Sequence, residues 1–305
     1  MIEETWPDLP YDSWTDTRDT LHLWTQVVGK IAVSHGPPLN HSWGSAFRVT
    51  PRGFATRTLY EGVRSFSLEF DFIDQRLTLH TSDGRTAALP LSAMSVSDFY
   101  AAVVAMCAEA GIAARVWSTP VEIDAPIPFE QDTVHHTYDG SCAELFWRIL
   151  VQVDRVFNQH RGRFIGKSSP VHLFWGALDL AVTRFSGRPA PPREGPMFMR
   201  EAYSHEVISH GFWPGGNALP EPVFYAYAVP PPDGFSSALV SPPAAYYHST
   251  LGEFVLPYAA VRTARDPDAM IVGFLDSTYD QAATLAHWDR AALEPEPLAP
   301  RPVNA

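Results

Sequence analysis

The same order of landmarks occurs twice along this 305-residue chain. Each half has a helical apolar pattern, a histidine, a Trp-Gly pair, a run with strand character, a Leu-Pro pair and a second helical pattern. The pairs are Trp43-Gly44 and Leu89-Pro90 in the first half, and Trp175-Gly176 and Leu256-Pro257 in the second. This repeat predicts two similar units of helix, antiparallel sheet and helix, hence an α+β fold with an internal duplication. Chance similarity between two unrelated α+β halves is the alternative, because short motifs also match by accident.

Local patterns in the first half support this order. Apolar residues recur at helical spacing over residues 17–34, and residues 66–72 alternate apolar with polar side chains, as half-buried antiparallel strands do. Ser95, followed three residues later by Asp98, predicts a capped helix start. Residues 116–123 predict one more strand before a proline-containing linker.

The linker divides the chain into an N-terminal α+β half at residues 1–124 and a C-terminal α+β half at residues 129–292. The second half opens with a helical pattern near residues 141–160 and has a second helix start at Asp266-Pro267. It also contains a stretch rich in proline and glycine, residues 186–222, with few periodic apolar positions. We expect this insertion to be a long loop at the mouth of a functional pocket, because such loops in compact domains are usually functional or disordered.

Composition limits the classes of partner. The net charge of −12 comes without any cluster of cations, so neither nucleic acid nor an anionic membrane surface is an expected partner. No apolar run reaches the roughly 18 residues of a membrane helix. Cys107 and Cys142 lie among apolar neighbours, which predicts buried thiols in a reducing compartment. The first seven residues lack the features of a signal peptide, so we expect a cytoplasmic protein.

Two familiar motifs fail on spacing. Gly162 and Gly166 precede Lys167 with three residues between the glycines, one fewer than a phosphate loop needs. His205 and His210 stand one residue farther apart than in the zinc-protease helix. On a helix their side chains would point about 140° apart, so they could not share one metal ion there.

Several residues of the second half nevertheless combine titratable with aromatic side chains. His172 lies in an apolar run, and a single polar group in an apolar wall is typical of small-molecule pockets, although a hydrogen-bonded core histidine is the alternative. The residues predicted to be catalytic are His205, Glu206 and Arg184. The residues predicted to bind the ligand are His172, Tyr203, Trp213, Tyr247 and His248. The residues predicted to hold a divalent metal are His172, His205 and Glu206. Surface histidines and a structural Asp179–Arg184 ion pair are the competing interpretations.

Some segments are more specific than these motifs. They include Thr-Leu-His-Leu-Trp-Thr-Gln-Val-Val-Gly-Lys at 20–30, Phe-Ile-Gly-Lys-Ser-Ser-Pro-Val-His-Leu-Phe-Trp-Gly at 164–176 and Gly-Phe-Trp-Pro-Gly at 211–215. With them the chain resembles, over nearly its whole length, a family of bacterial proteins defined only by a domain of unknown function. The resemblance implies one full-length family unit and supplies no catalytic residue. His210 departs from the family pattern, in which a small residue is usual.

Two functions remain open at this stage. The first is a small-molecule enzyme with a His/Glu/Arg pocket in the C-terminal half, with or without a divalent metal. The second is a non-catalytic protein that binds a small molecule or acts as a scaffold. Bound metal or strongly shifted pKa values in a cleft would favour the enzyme, whereas an apolar pocket without convergent titratable groups would favour the binding protein. Substrate, reaction, cofactor and oligomeric state stay undefined by the sequence.

Overall fold

A computed structural model describes residues 4–195 and 197–295. Within them are seven α-helices and two six-stranded antiparallel sheets, so the predicted α+β class is confirmed. The helices are α1 (Tyr11–His35), α2 (Val96–Glu109), α3 (Gly140–Arg161), α4 (Met197–Ala202), α5 (Tyr258–Arg262), α6 (Pro267–Leu285) and α7 (Arg290–Leu293). None of the described helices combines the length and the apolar character that crossing a bilayer requires.

The first sheet has the order β1-β2-β4-β5-β6, with β3 paired to β4. Its strands are β1 (Arg48–Thr50), β2 (Gly53–Ala55), β3 (Leu59–Glu61), β4 (Arg64–Asp71), β5 (Arg76–Thr81) and β6 (Thr86–Pro90). Aromatic rings join the sheet to the helices: Trp24 of α1 stacks on Phe99 of α2 at 4.6 Å between ring centroids, and Phe99 stacks on Phe70 of β4 at 6.3 Å. These fully buried rings form the centre of the core.

The second sheet has the order β11-β12-β10-β9-β8-β7. Its strands are β7 (His172–Phe174), β8 (Asp179–Pro189), β9 (His205–Trp213), β10 (Val223–Val229), β11 (Tyr246–His248) and β12 (Glu253–Pro257). This sheet has no branch, whereas β3 branches from β4 in the first sheet. The sheets agree in strand number, and the internal duplication stays a prediction.

Two compact units are discontinuous in sequence. The first unit comprises Met1–Asp154, His172–Ala181 and Phe212–Val223, and the second comprises Arg155–Val171, Val182–Gly211 and Phe224–Ala305. The linker after residue 124 therefore lies inside the first unit. Several elements, such as α3 and β8, begin in one unit and end in the other.

Helix starts follow the capping signals. The Ser95 side chain accepts a 3.0 Å hydrogen bond from the Asp98 N–H and starts α2 at Val96. Asp266 accepts a hydrogen bond from the Ala269 N–H at 3.0 Å and caps α6. Each cap satisfies an N–H group that has no partner inside the helix, which is why both helices begin where the sequence predicts.

The predicted loop at residues 186–222 is wrong over much of its length. It contains the end of β8, the short helix α4 and the nine-residue strand β9. Six consecutive residues of β9, Val207 to Phe212, are buried. A strand buried on both faces shows no alternation of apolar and polar residues, so the sequence pattern does not reveal it.

Residues 116–123, expected to form a strand, have no regular secondary structure. We call this segment the strap. Gln26 and Lys30 of α1, which are four residues apart and share a helix face, bind its backbone, and Ser34 one turn later donates to the carbonyl of Arg115 just before the strap. Gln26 makes two 2.8 Å hydrogen bonds, to the C=O and from the N–H of Val121. Side chains of a helix thus supply hydrogen-bond partners to the strap backbone, which in a β-strand would come from a neighbouring strand.

Candidate functional site

The candidate site lies where strand β1 of the first unit pairs with its neighbours β2 and β7. Arg48 of β1 lies opposite Ala55 of β2. On the other side of β1, Phe47 and Leu173 of β7 exchange two 2.9 Å backbone hydrogen bonds. His172 belongs to the same strand β7, which pairs in turn with the start of β8.

This register collects polar side chains on one face. Successive strand residues point to opposite faces, so Arg48, Arg57, His172 and Phe174 share one face; we call these four residues the arginine face. The N–H of Thr56 still bonds to β4, which keeps the chain extended toward Arg57. The positions between the long side chains hold the buried alanines Ala46, Ala55 and Ala181.

His172 is the central polar group of this face. Its ring is 1% exposed, and neither ring nitrogen has a hydrogen-bond partner among the described residues. Phe174 lies 4.4 Å away and Trp43 6.3 Å away between ring centroids. Burial, and secondarily the charge of Arg57, lowers the pKa of His172 to about 3. The imidazole is therefore neutral at pH 7, and its two nitrogens offer one donor and one acceptor.

Arg57 brings positive charge to the same place. Its Nε is buried and, within the described part of the chain, has no hydrogen-bond partner. Arg48 on the same face is exposed. Asp179 lies opposite Phe174 and supplies one negative charge. An arginine with a buried nitrogen that lacks a partner is costly unless an acceptor reaches it.

A strained turn holds the aromatic wall of the site. His41 and Ser42 both have φ of 58°, in the left-handed region that non-glycine residues rarely adopt. Trp43 follows directly, and its ring lies 5.2 Å from the His41 ring. Such strain persists where the surrounding structure fixes it, and it concentrates at functional sites.

These groups can bind better than they can catalyse. A guanidinium fork takes a carboxylate through two parallel hydrogen bonds, and the neutral imidazole accepts or donates one more. The rings of Trp43 and Phe174 can contact a flat apolar body. A general base works best with a pKa near the working pH, and the depressed pKa of His172 is far from it.

The predicted catalytic Arg184 is a core residue of the second unit. It is 3% exposed and donates a 2.5 Å hydrogen bond to the carbonyl of His160. Its guanidinium lies over the rings of Tyr279 and Phe164, at 4.4 and 5.0 Å. Burial lowers the pKa of Arg184 to about 10, so the side chain stays charged at pH 7.

The predicted catalytic pair His205 and Glu206 begins β9 in the second unit. Arg188 binds the Glu206 carboxylate at 2.6 Å, and the Ser186 hydroxyl donates to it at 2.8 Å. Ser204 bonds to the Nδ1 of His205 at 3.0 Å. Glu206 also borders a mostly apolar cleft of about 170 Å³. Its negative charge is compensated by Arg188, which reduces its use as a base.

The other predicted ligand-binding residues, Tyr203, Trp213, Tyr247 and His248, make contacts in different parts of the fold. The Tyr203 hydroxyl is 3.1 Å from that of Tyr227 in the second unit. Trp213 ends β9 in the first unit and packs near Gly216. In β11, Tyr247 packs on Phe254, and His248 accepts a hydrogen bond from the Leu251 N–H. None of these contacts involves the arginine face.

The three predicted metal ligands are divided between the units. His172 lies in the first unit, and His205 and Glu206 lie in the second. Across residues 4–195 and 197–295, no three His, Cys, Asp or Glu side chains are grouped so as to hold a metal ion.

The sequence patterns do not point to three residues of the site as binding residues. Arg57 is one of many arginines, and only the strand register puts it beside His172. His41 and Trp43 belong to a landmark that predicts the repeat and, as it happens, also forms the site.

The sequence profile of a family of unknown function, DUF5996, matches residues 6–295 of the chain. The chain belongs to this family, as its whole-length resemblance predicts. No curated protein and no solved structure matches it.

Proposed function

We propose that the protein binds a small carboxylate-bearing molecule on the arginine face of its first unit. Arg57 holds the carboxylate, His172 forms a hydrogen bond to a second polar group, and Trp43 and Phe174 contact an apolar body. The observation that carries the proposal is the buried His172 ring with two nitrogens that lack partners, beside an Arg57 nitrogen in the same condition. Buried polar groups are normally hydrogen-bonded, so two such residues on one face favour a ligand there.

The chemistry of the arginine face favours ligand binding over catalysis. The face offers arginine donors and one neutral imidazole, and one carboxylate, that of Asp179, lies opposite Phe174 in the strand register. A pair of carboxylates or a base poised near pH 7 would favour acid–base chemistry, and the face holds neither.

The direct test compares small carboxylates with their amides by isothermal titration calorimetry, with benzoate and benzamide as the first pair. Benzoate should bind, and Arg57→Gln should weaken its affinity at least tenfold, because a hydrogen bond to a charged group contributes about 1.5–3 kcal/mol. Arg85→Gln changes an exposed arginine of the same unit and should leave the affinity unchanged. Equal affinities for each carboxylate and its amide across the panel would contradict the proposal.

A second candidate is an enzyme that uses Glu206 at the cleft of the second unit. The observation that favours it is the position of the Glu206 carboxylate at the edge of an apolar cleft of about 170 Å³. Glu206→Gln keeps the shape and removes the charge. Loss of turnover in Glu206→Gln with benzoate affinity unchanged would favour the enzyme. Loss of benzoate affinity in Arg57→Gln with turnover unchanged would favour the binding protein.

A further inference from the structure

A second cluster of buried polar groups belongs to the second unit and shares no residue with the proposed function. His160 at the end of α3, Arg184 on β8, and His210 on β9 are at most 3% exposed. Asp276 and Thr278 of α6 complete it. The sequence patterns single out Arg184 and His210 but give no reason to join them.

The strand register brings two of these groups to one face. The Ser186 hydroxyl donates to Glu206, which pairs β8 with β9 at this point. Alternate residues share a face, so Arg184 lies on the same face as Ser186, and His210 on the same face as Glu206. The His210 and His160 rings lie 5.1 Å apart between centroids, nearly perpendicular at 76°.

Three nitrogens of this cluster are buried without a hydrogen-bond partner in the described part of the chain. They are Nε2 of His160, Nδ1 of His210 and Nε of Arg184. A buried polar atom without a partner destabilises the fold, so three in a single cluster form a large penalty unless one molecule satisfies them together.

The partner of His160 fixes the position of its proton. Its Nδ1 lies 3.2 Å from Oδ1 of Asp276, and Arg163 also binds both oxygens of that carboxylate at 2.8 Å. Burial raises the pKa of Asp276, but the hydrogen bonds from His160 and Arg163 outweigh it and hold the pKa below its usual value. An ionised carboxylate only accepts, so Nδ1 of His160 carries the proton and Nε2 presents a lone pair.

The partner of His210 fixes its proton in the same way. Its Nε2 lies 3.0 Å from Oγ1 of Thr278. The Thr278 hydroxyl donates its own proton to the carbonyl of Phe274 at 2.7 Å. Oγ1 must therefore accept from His210, so Nε2 carries the proton and Nδ1 presents a lone pair.

The three nitrogens thus comprise two acceptors and one donor, since the guanidinium Nε always carries a proton. We propose that they hold one buried water molecule, which donates to both imidazoles and accepts from Arg184. An anion would meet two lone pairs, and a cation would meet the guanidinium charge. Buried waters typically make about three hydrogen bonds to groups that otherwise lack partners, which is the number available.

The test uses the full chain labelled with ¹⁵N-histidine at pH 7. Long-range ¹H–¹⁵N correlation should place the proton of His160 on Nδ1 and that of His210 on Nε2. Rotating-frame cross-relaxation should connect both rings to a water molecule. The opposite protonation of either ring, or no water cross-peak at either ring, would overturn the proposal.

A pair of variants adds a second readout. Thr278→Val removes the hydroxyl that accepts from Nε2 of His210 and should shift the tautomer balance of the ring toward Nδ1, with weakening of the hydrogen bond donated by water. Thr278→Ser keeps the hydroxyl and should retain the wild-type pattern. A Thr278→Val spectrum identical to that of the wild type would also contradict the proposal. If Thr278→Val does not fold, the wild-type protonation pattern and water cross-peaks decide alone.

Discussion

Lowering the pH from 7 to 5 should destabilise the protein through its buried histidines. Burial is the main cause that lowers the pKa of His172 to about 3 and that of His160 to about 4, from an ordinary value of 6.5. The unfolded chain therefore binds protons at a higher pH than the folded chain. Stability from these groups is complete above pH 6.5 and falls as the pH decreases toward the folded pKa values.

The magnitude follows from the distance between pH 5 and the unfolded pKa. Each histidine that stays neutral in the folded state costs about 1.4 kcal/mol per pH unit below 6.5, or about 2 kcal/mol at pH 5. His160 and His172 together therefore remove about 4 kcal/mol. Burial also lowers the pKa of His210 well below its ordinary value, so it acts in the same direction. A domain has only about 5–15 kcal/mol in total, so the loss is large.

Urea unfolding followed by tryptophan fluorescence at pH 7, 6 and 5 measures this loss. The free energy of unfolding should fall as the pH decreases, and His172→Gln should reduce the slope by about one proton. The surface variant His136→Gln controls for the loss of a histidine as such. Equal stability at pH 7 and pH 5, or an unchanged slope in His172→Gln, would refute the reasoning.

Two further predictions concern packing in the first unit. Lys30→Met removes the hydrogen bond to the strap and should cost about 1–3 kcal/mol, with faster amide exchange in the strap by mass spectrometry; Lys167→Met is the control. Gly29→Ala would place a Cβ 2.2 Å from the Trp175 ring. It should cost about 1–3 kcal/mol in calorimetry, whereas Gly273→Ala has its nearest neighbour atom at 3.9 Å and should be neutral or stabilising.

The sequence predicts the elements whose determinants are local. Ser95 and Asp266 cap their helices with side chains that lie within three residues of the N–H groups they bind. Residues 66–70 alternate because one face of β4 is buried and the other is only half-buried. In each case the information needed is contained in a short window.

The failures come from partners distant in sequence. The strap is not a strand because Gln26, 95 residues before Val121, binds its backbone. Most of strand β9 is buried on both faces, so its sequence does not alternate between apolar and polar residues. Without that alternation, the polar residues His205, Glu206 and His210 suggest a loop.

The candidate site shows the same limit. His172 stands out as a polar residue in an apolar run, and its burial agrees with that interpretation. Arg57 becomes visible only through the pairing of β1 with both β2 and β7. Long-range register is a property of the folded chain, which a single sequence does not display.

The central claim is that the arginine face binds a carboxylate, and one spectrum tests it most directly. Benzoate added to ¹⁵N-histidine-labelled protein should shift the ring signals of His172 in a saturable way, while the signals of His136 stay in place. Benzamide should produce a smaller shift, and Arg57→Gln should abolish the benzoate effect. Ring signals of His172 that do not respond to benzoate, or that respond equally in Arg57→Gln, would contradict the account.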